Sequence, residues 1–176
     1  MKAPDQRGFS MIEVLITIAI LMVGLLGLAG LQTRVSTAEF EAYQRAQALV
    51  IIQDIQDRMN ANKKNLASYV QNDIGVAGAI QDCTGKAGAA LDLCQVNNEL
   101  VGSAESNGGT MLGAMIGARA CITNPTPGNY FITVAWQGIT PINKSPTAAC
   151  GAGAYGTGGL RRTVSMPITF GCLTCP

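Results

Sequence analysis

The sequence predicts an α+β protein: one long N-terminal helix, membrane-spanning in its first half, packed on a small antiparallel β-sheet. Three observations predict it. Hydrophobicity switches on sharply at Phe9 and holds without a charge from Val14 to Leu31. Beyond Leu31, apolar residues recur every three or four positions as far as Met59, the spacing of one helix face. Later in the chain come short segments rich in β-branched and aromatic residues, the mark of strands.

Length and composition narrow the function classes. The 176 residues suit a single domain. Charged residues are only 13%, against 48% hydrophobic. Twelve Lys and Arg against 11 Asp and Glu leave a net charge of +1. That gives no electrostatic footprint for nucleic acid, which is not expected as a partner. Histidine is absent, which excludes Ser-His-Asp and Cys-His catalysis and every histidine-ligated metal site. No catalytic residue, cofactor, metal or small-molecule substrate is expected.

The first element is the span. Residues 1–8 (MKAPDQRG) are polar, with Lys2 and Arg7 against Asp5. The 18 uncharged residues from Val14 to Leu31 are just enough to cross a bilayer, and a single span must be helical to satisfy its own backbone. Lys2, Arg7 and the chain's amino group precede it, so the N-terminus is expected in the cytoplasm and the C-terminal bulk in the periplasm. Glu13 lies near the start of the apolar run. An ionisable residue there is costly and therefore a functional candidate, the alternative being a carboxylate solvated at the interface. Gly24, Gly27 and Gly30 interrupt the span at a spacing of three. Each costs about 1 kcal/mol against alanine in a helix interior. They read either as close-packing positions or as places where the helix softens.

The helix continues past the membrane. Val35, Ala38, Ala42, Ala46, Leu49, Ile52, Ile55 and Met59 form its apolar stripe. Arg34, Glu39, Glu41, Gln44, Arg45, Gln47, Gln53, Asp54 and Asp57 form the polar face. Asn60 and Asn62 mark the stop. Phe9 to Asn60 would measure about 78 Å at 1.5 Å per residue. The amphipathic half is expected to lay its stripe on a sheet.

Residues 63–176 hold 17 of the 21 glycines and all six cysteines. From Asn65 to Leu112 there is little regular pattern; Asn72-Asp73, Ala77-Gly78 and Asn107-Gly108-Gly109 read as turns. The strand candidates are Gly117–Ile122, Asn129–Trp136 and Leu160–Phe170, with Pro167 placing the last at a sheet edge or a bulge. In an oxidising periplasm the cysteines read as staples, each disulfide adding about 2–4 kcal/mol to a thin core. Six cysteines allow 15 pairings. The reading favours Cys83–Cys94, closing a loop, and Cys121–Cys150, bracketing the Asn129–Trp136 strand region. Cys172–Cys175 follows by elimination as a short, strained closure, and cross-pairing of the tail with Cys150 is its rival.

Four further patterns resolve into structure rather than chemistry. Cys172-Leu-Thr-Cys175 spells a thiol–disulfide motif but follows a strand instead of opening a helix. No second C-x-x-C exists to complete a zinc site. Gly151-Ala-Gly-Ala-Tyr-Gly156 spells a dinucleotide fingerprint without the flanking strand and helix that such a site needs, and reads as a flexible loop. Arg161-Arg162 reads as two solvated strand residues. Glu39, Glu41 and Arg45 are candidates for lateral contacts, with a solvated helix face as the blander reading.

Gly8-Phe9-Ser10-Met11-Ile12-Glu13 followed by an apolar helix resembles the processing site of the type IV pilin family. The resemblance implies the type IV pilin fold, and a prepilin peptidase that cuts between Gly8 and Phe9 and N-methylates Phe9. It also implies a plan of leader (1–8), fibre-core and membrane half (9–31), amphipathic half (32–62) and disulfide-stapled periplasmic domain (63–176). In a packed fibre, Glu13 would be buried and would need a cation. The terminal ammonium of a neighbouring subunit supplies one and sets the register of insertion. Pilins of the major class often carry a proline in this helix; here none occurs between Pro4 and Pro125, which leaves softening to the glycines.

A narrower resemblance is to minor pilins of the PilV type. It rests on Gly24–Gln32, Ala42–Leu49, Asp57–Asn62, Ala118–Ile122 and Asn129–Trp136. It implies a low-abundance subunit that helps initiate pilus assembly. Its implied partners are other minor pilins, the major pilin, a PilY-type tip adhesin and the inner-membrane assembly platform. The implied location is the inner membrane, then the pilus at the cell surface. Two rivals stand beside it: a minor pseudopilin of type II secretion, and a secreted disulfide-stapled binding domain cleaved near Leu28-Ala-Gly30. A membrane-anchored thiol oxidoreductase would need exchangeable Cys172 and Cys175.

Overall fold

The computed structural model describes residues 8–76, 78–103, 106–107, 110–111 and 115–171. The chain divides into two compact units, the first ending at Phe40 and the second beginning at Glu41. Helix α1 (Met11–Ala61) contributes to both. In the first unit its side chains are exposed almost throughout.

The second unit holds the rest of α1, a 3-10 helix (Lys63–Tyr69), β1 (Gln71–Ile74), α2 (Ala89–Val101), β2 (Ser106–Asn107), β3 (Thr110–Met111), β4 (Arg119–Thr126), β5 (Asn129–Gln137) and β6 (Arg161–Thr169). Four strands make one antiparallel sheet in the order β1-β4-β5-β6; β2 and β3 pair separately. The long partner runs through the sheet in register, with Ile122 opposite Ile132 and Ile132 opposite Met166. Strand side chains alternate between two faces. Ala120, Ile122, Ile132, Val134 and Trp136 point into the core. There they meet Ala48, Ile52, Ile55 and Met59 of α1 and Leu93, Val96 and Leu100 of α2. Both helices therefore share one face of the sheet, giving an α+β arrangement consistent with the type IV pilin fold.

The predicted strands form with shifted limits. Gly117–Ile122 becomes Arg119–Thr126, because Gly117 at φ +60° belongs to the preceding turn. Pro167 lies on β6, which pairs only with β5, so its missing N–H falls on a sheet edge.

Three expectations are corrected. The buried row of α1 is Gln44, Ala48, Ile52, Ile55 and Met59. Val35, Ala38, Ala42, Ala46 and Leu49 are exposed instead. The apolar pattern misled because the buried face includes the polar Gln44, assigned to the outer face on polarity alone. The region Asn65–Leu112 is more regular than its composition suggests. Ala89, Leu93, Val96 and Leu100 repeat at helical spacing and are buried, and Gly102 at φ +81° caps α2 with its N–H on the Asn98 and Glu99 carbonyls. Asn72-Asp73 is part of β1 rather than a turn, an irregular stretch between Gln71 and Ile74, which pair with Ile122 and Ala120 of β4. Of the other turns, Gly78 donates to the Gly75 carbonyl. Ala77, Gly108 and Gly109 lie outside the described residues.

Disulfides join Cys83 to Cys94 and Cys121 to Cys150, the two pairs that the sequence favours. Cys172 and Cys175 lie outside the described residues.

Candidate functional site

Gly8, Phe9 and Ser10 precede the helix. The Ser10 carbonyl accepts its opening hydrogen bonds, from the Glu13 N–H at 3.0 Å and the Val14 N–H at 3.3 Å. Phe9 is 84% exposed, and a side chain at Gly8 would meet nothing within 4 Å. The Gly8–Phe9 peptide bond is thus sterically open. Glu13 is exposed in the first turn of α1, where the helix dipole favours a carboxylate.

From Val14 to Leu31 every side chain is exposed. Thr17 hides its hydroxyl by donating to the Val14 carbonyl at 2.8 Å. Gly24, Gly27 and Gly30 are helical with open space around them. By length and composition this helix is able to cross a membrane. An apolar surface of this extent is stable only in lipid or against other apolar helices.

In the second unit several charged residues are bound rather than solvated. Arg162 of β6 donates to Glu41 at 2.9 Å and to the Thr140 carbonyl at 2.6 Å. Thr140 closes the ring by donating its N–H and O–H to Glu41 at 3.2 and 2.8 Å. Burial pushes the Glu41 carboxyl up, but these bonds outweigh it and hold it below its usual value. Arg161 faces the other way and donates to the carbonyls of Pro146, Ala148 and Cys150. The expectation that Arg161, Arg162 and Glu41 are solvated is therefore wrong. Adjacent strand residues do point to opposite sides, and each side brings its own acceptors. Glu39 and Arg45 make no ion pair among the described residues.

Sequence reasoning missed a second anchor. Arg58 of α1 pairs with Asp54 at 2.6 Å and reaches Asp92 and Glu99 of α2 at 3.5 and 3.1 Å. Desolvation alone would lower its pKa, but Asp54, Glu99 and Asp92 together raise it. The buried Tyr69 donates its hydroxyl to Asp92. The signal was present: Asp54 and Arg58 stand four apart on α1, and Asp92 and Glu99 seven apart on α2, each pair on one helix face.

Gly151–Gly156 is a run of turns. Tyr155 within it is buried and donates to the Gly117 carbonyl at 2.7 Å. It packs with Cys121, Ala135 and Cys150, so the segment is a fastened loop.

Residues 4–29 match the family model of the prokaryotic N-terminal methylation motif. The chain carries a prepilin-type signal. The match spans the Gly8–Phe9 junction, Glu13, Gly24 and Gly27, and ends one residue before Gly30. No curated protein and no solved structure matches the chain. This signal, with the exposed apolar helix behind it, fits a membrane-anchored pilin or pseudopilin, a structural class whose members pass through a prepilin peptidase.

Proposed function

We propose that the chain is a minor type IV pilin that helps initiate pilus assembly and takes a place in the tip complex. The observation that carries the reading is the prepilin-type signal at residues 4–29 joined to a fully exposed apolar helix. The peptidase cuts after Gly8 and methylates Phe9. The helix holds the subunit in the inner membrane until the assembly platform extracts it. On extraction it exchanges lipid for the helices of other minor pilins and of the major pilin, so little hydrophobic free energy is lost. The new terminal ammonium pairs with Glu13 of the next subunit and fixes its depth in the fibre, while the glycines at 24, 27 and 30 let the helix adapt. The stapled domain contacts its neighbours and a PilY-type adhesin at the tip.

Deletion of the gene in the native host tests this reading. Loss of surface pili, restored by wild type but reduced at least severalfold with Glu13→Ala, supports it. Normal piliation together with failure of protein secretion would make the chain a pseudopilin of type II secretion instead.

A further inference from the structure

The sheet face turned away from the helices carries a cleft of about 600 Å³. Its floor is two strand rows. In one, Phe131 lies between Thr123 and Pro167; in the next, Thr133 lies between Cys121 and Ser165. One wall is the loop Thr147–Gly151. That wall is fixed twice: by the Cys121–Cys150 disulfide, and by Arg161, which donates to the carbonyls of Pro146, Ala148 and Cys150. The cleft is therefore formed before any ligand arrives, and its volume lies within the usual range for small-molecule sites.

Among the described residues the lining is uncharged, and Arg161 spends its donors on the carbonyls of the wall loop. It combines one aromatic ring, Phe131 at 39% exposure, with a set of hydroxyls and an amide. Thr133 and Ser165 share a hydrogen bond at 2.8 Å and keep further capacity on each oxygen. The side chains of Asn72, Thr123 and Thr147 make no hydrogen bond among the described residues.

These features select one ligand class. An ion would leave water without a counter-charge. An aliphatic ligand would bury the hydroxyls unpaired. A peptide strand would need a free ladder edge, but Phe131 and Thr133 at the centre of the floor belong to β5, which is paired on both sides. A neutral sugar meets all three conditions: apolar ring hydrogens for Phe131, and hydroxyls that donate to and accept from Thr123, Thr133 and Ser165. We propose that this cleft is a binding site for a neutral saccharide. The site stands apart from the assembly role, so either can fail without the other.

The test uses the full chain in polyoxyethylene micelles, which carry no sugar headgroup, with saturation-transfer NMR and calorimetric titration. The probes are maltotriose, lactose and chitotriose, with glucuronate and triglycine as controls. The expected result is saturable binding of at least one neutral probe, weakened tenfold or more by Phe131→Ala and severalfold by Thr123→Val or Ser165→Val. Lys64→Gln, outside the cleft, leaves it unchanged. Intact disulfides and an unchanged unfolding midpoint show that a variant is folded; if Phe131→Ala is not, Thr123→Val and Ser165→Val carry the test. Absence of binding by all three sugars, equal binding of glucuronate or triglycine, or binding indifferent to the cleft variants would overturn the assignment.

Discussion

Replacing Arg162 by Met should loosen α1 from the sheet at its upper end, and the size of the effect follows from the geometry. The guanidinium makes bonds of 2.9 and 3.4 Å to Glu41, 2.6 Å to the Thr140 carbonyl and 3.3 Å to the Gly159 carbonyl. A hydrogen bond to a charged group contributes about 1.5–3 kcal/mol when buried, while an exposed pair contributes about 0–1. The Arg162 side chain is 13% exposed and that of Glu41 is 27% exposed, between those limits. The expected loss is about 2 kcal/mol for Arg162→Met, and about 1 kcal/mol for Glu41→Gln, which keeps an acceptor for Thr140. The pH dependence has a definite sign. Glu41 has its folded pKa below its unfolded value, so its contribution is present above about pH 4.5 and fades as pH falls through the folded value. Urea unfolding of the oxidised full chain in micelles reads this directly, because Trp136 is the sole tryptophan and lines the same recess as Glu41 and Arg162. If Arg162→Met lies within about 0.3 kcal/mol of wild type, or the Glu41→Gln deficit persists unchanged to pH 3, the clasp is not stabilising and the reasoning fails.

The same denaturation assay checks three more expectations. Removing Cys121 and Cys150 together opens a closure of 29 residues and should cost about 3.6 kcal/mol by loop entropy, against about 2.8 for the 11-residue Cys83–Cys94 closure; the reverse order would contradict a chain-entropy origin. Ile52→Ala, at a fully buried position between helix and sheet, should lower stability by about 2–5 kcal/mol, whereas Val50→Ala on the exposed side should change it by less than about 0.5. Gln44 is 2% exposed and its amide finds no partner among the described protein groups, so Gln44→Met should raise stability by about 1–2 kcal/mol, and a loss of stability would show that the amide is satisfied.

What the sequence made legible was local. The charge-free run Val14–Leu31 is long and apolar enough to cross a membrane, and Asn129–Trp136 is rich in the β-branched and aromatic residues of a strand. The Gly8–Glu13 motif is readable because its residues are contiguous. What stayed hidden depends on distant partners. Gln71–Ile74 (QNDI) has no strand propensity to speak of and becomes β1 because β4 offers it a ladder. The helix Ala89–Val101 has the right spacing, yet it sits in a glycine-rich stretch whose pattern reads as irregular; the Cys83–Cys94 bond and Arg58 on α1 hold it in place. Glu41 and Arg162 are 121 positions apart, so neither residue announces the other. The saccharide cleft was illegible for the same reason: its floor comes from three strands and its wall from a loop fastened by a disulfide.

The measurement that bears most directly on the central claim is the mass of the mature N-terminal peptide from protein made in its native host. The account predicts a chain that begins at N-methylated Phe9, with Met1–Gly8 removed. A chain that begins near Leu31 would mean an ordinary secreted domain, and the role proposed for Glu13 and the apolar helix would fall with it.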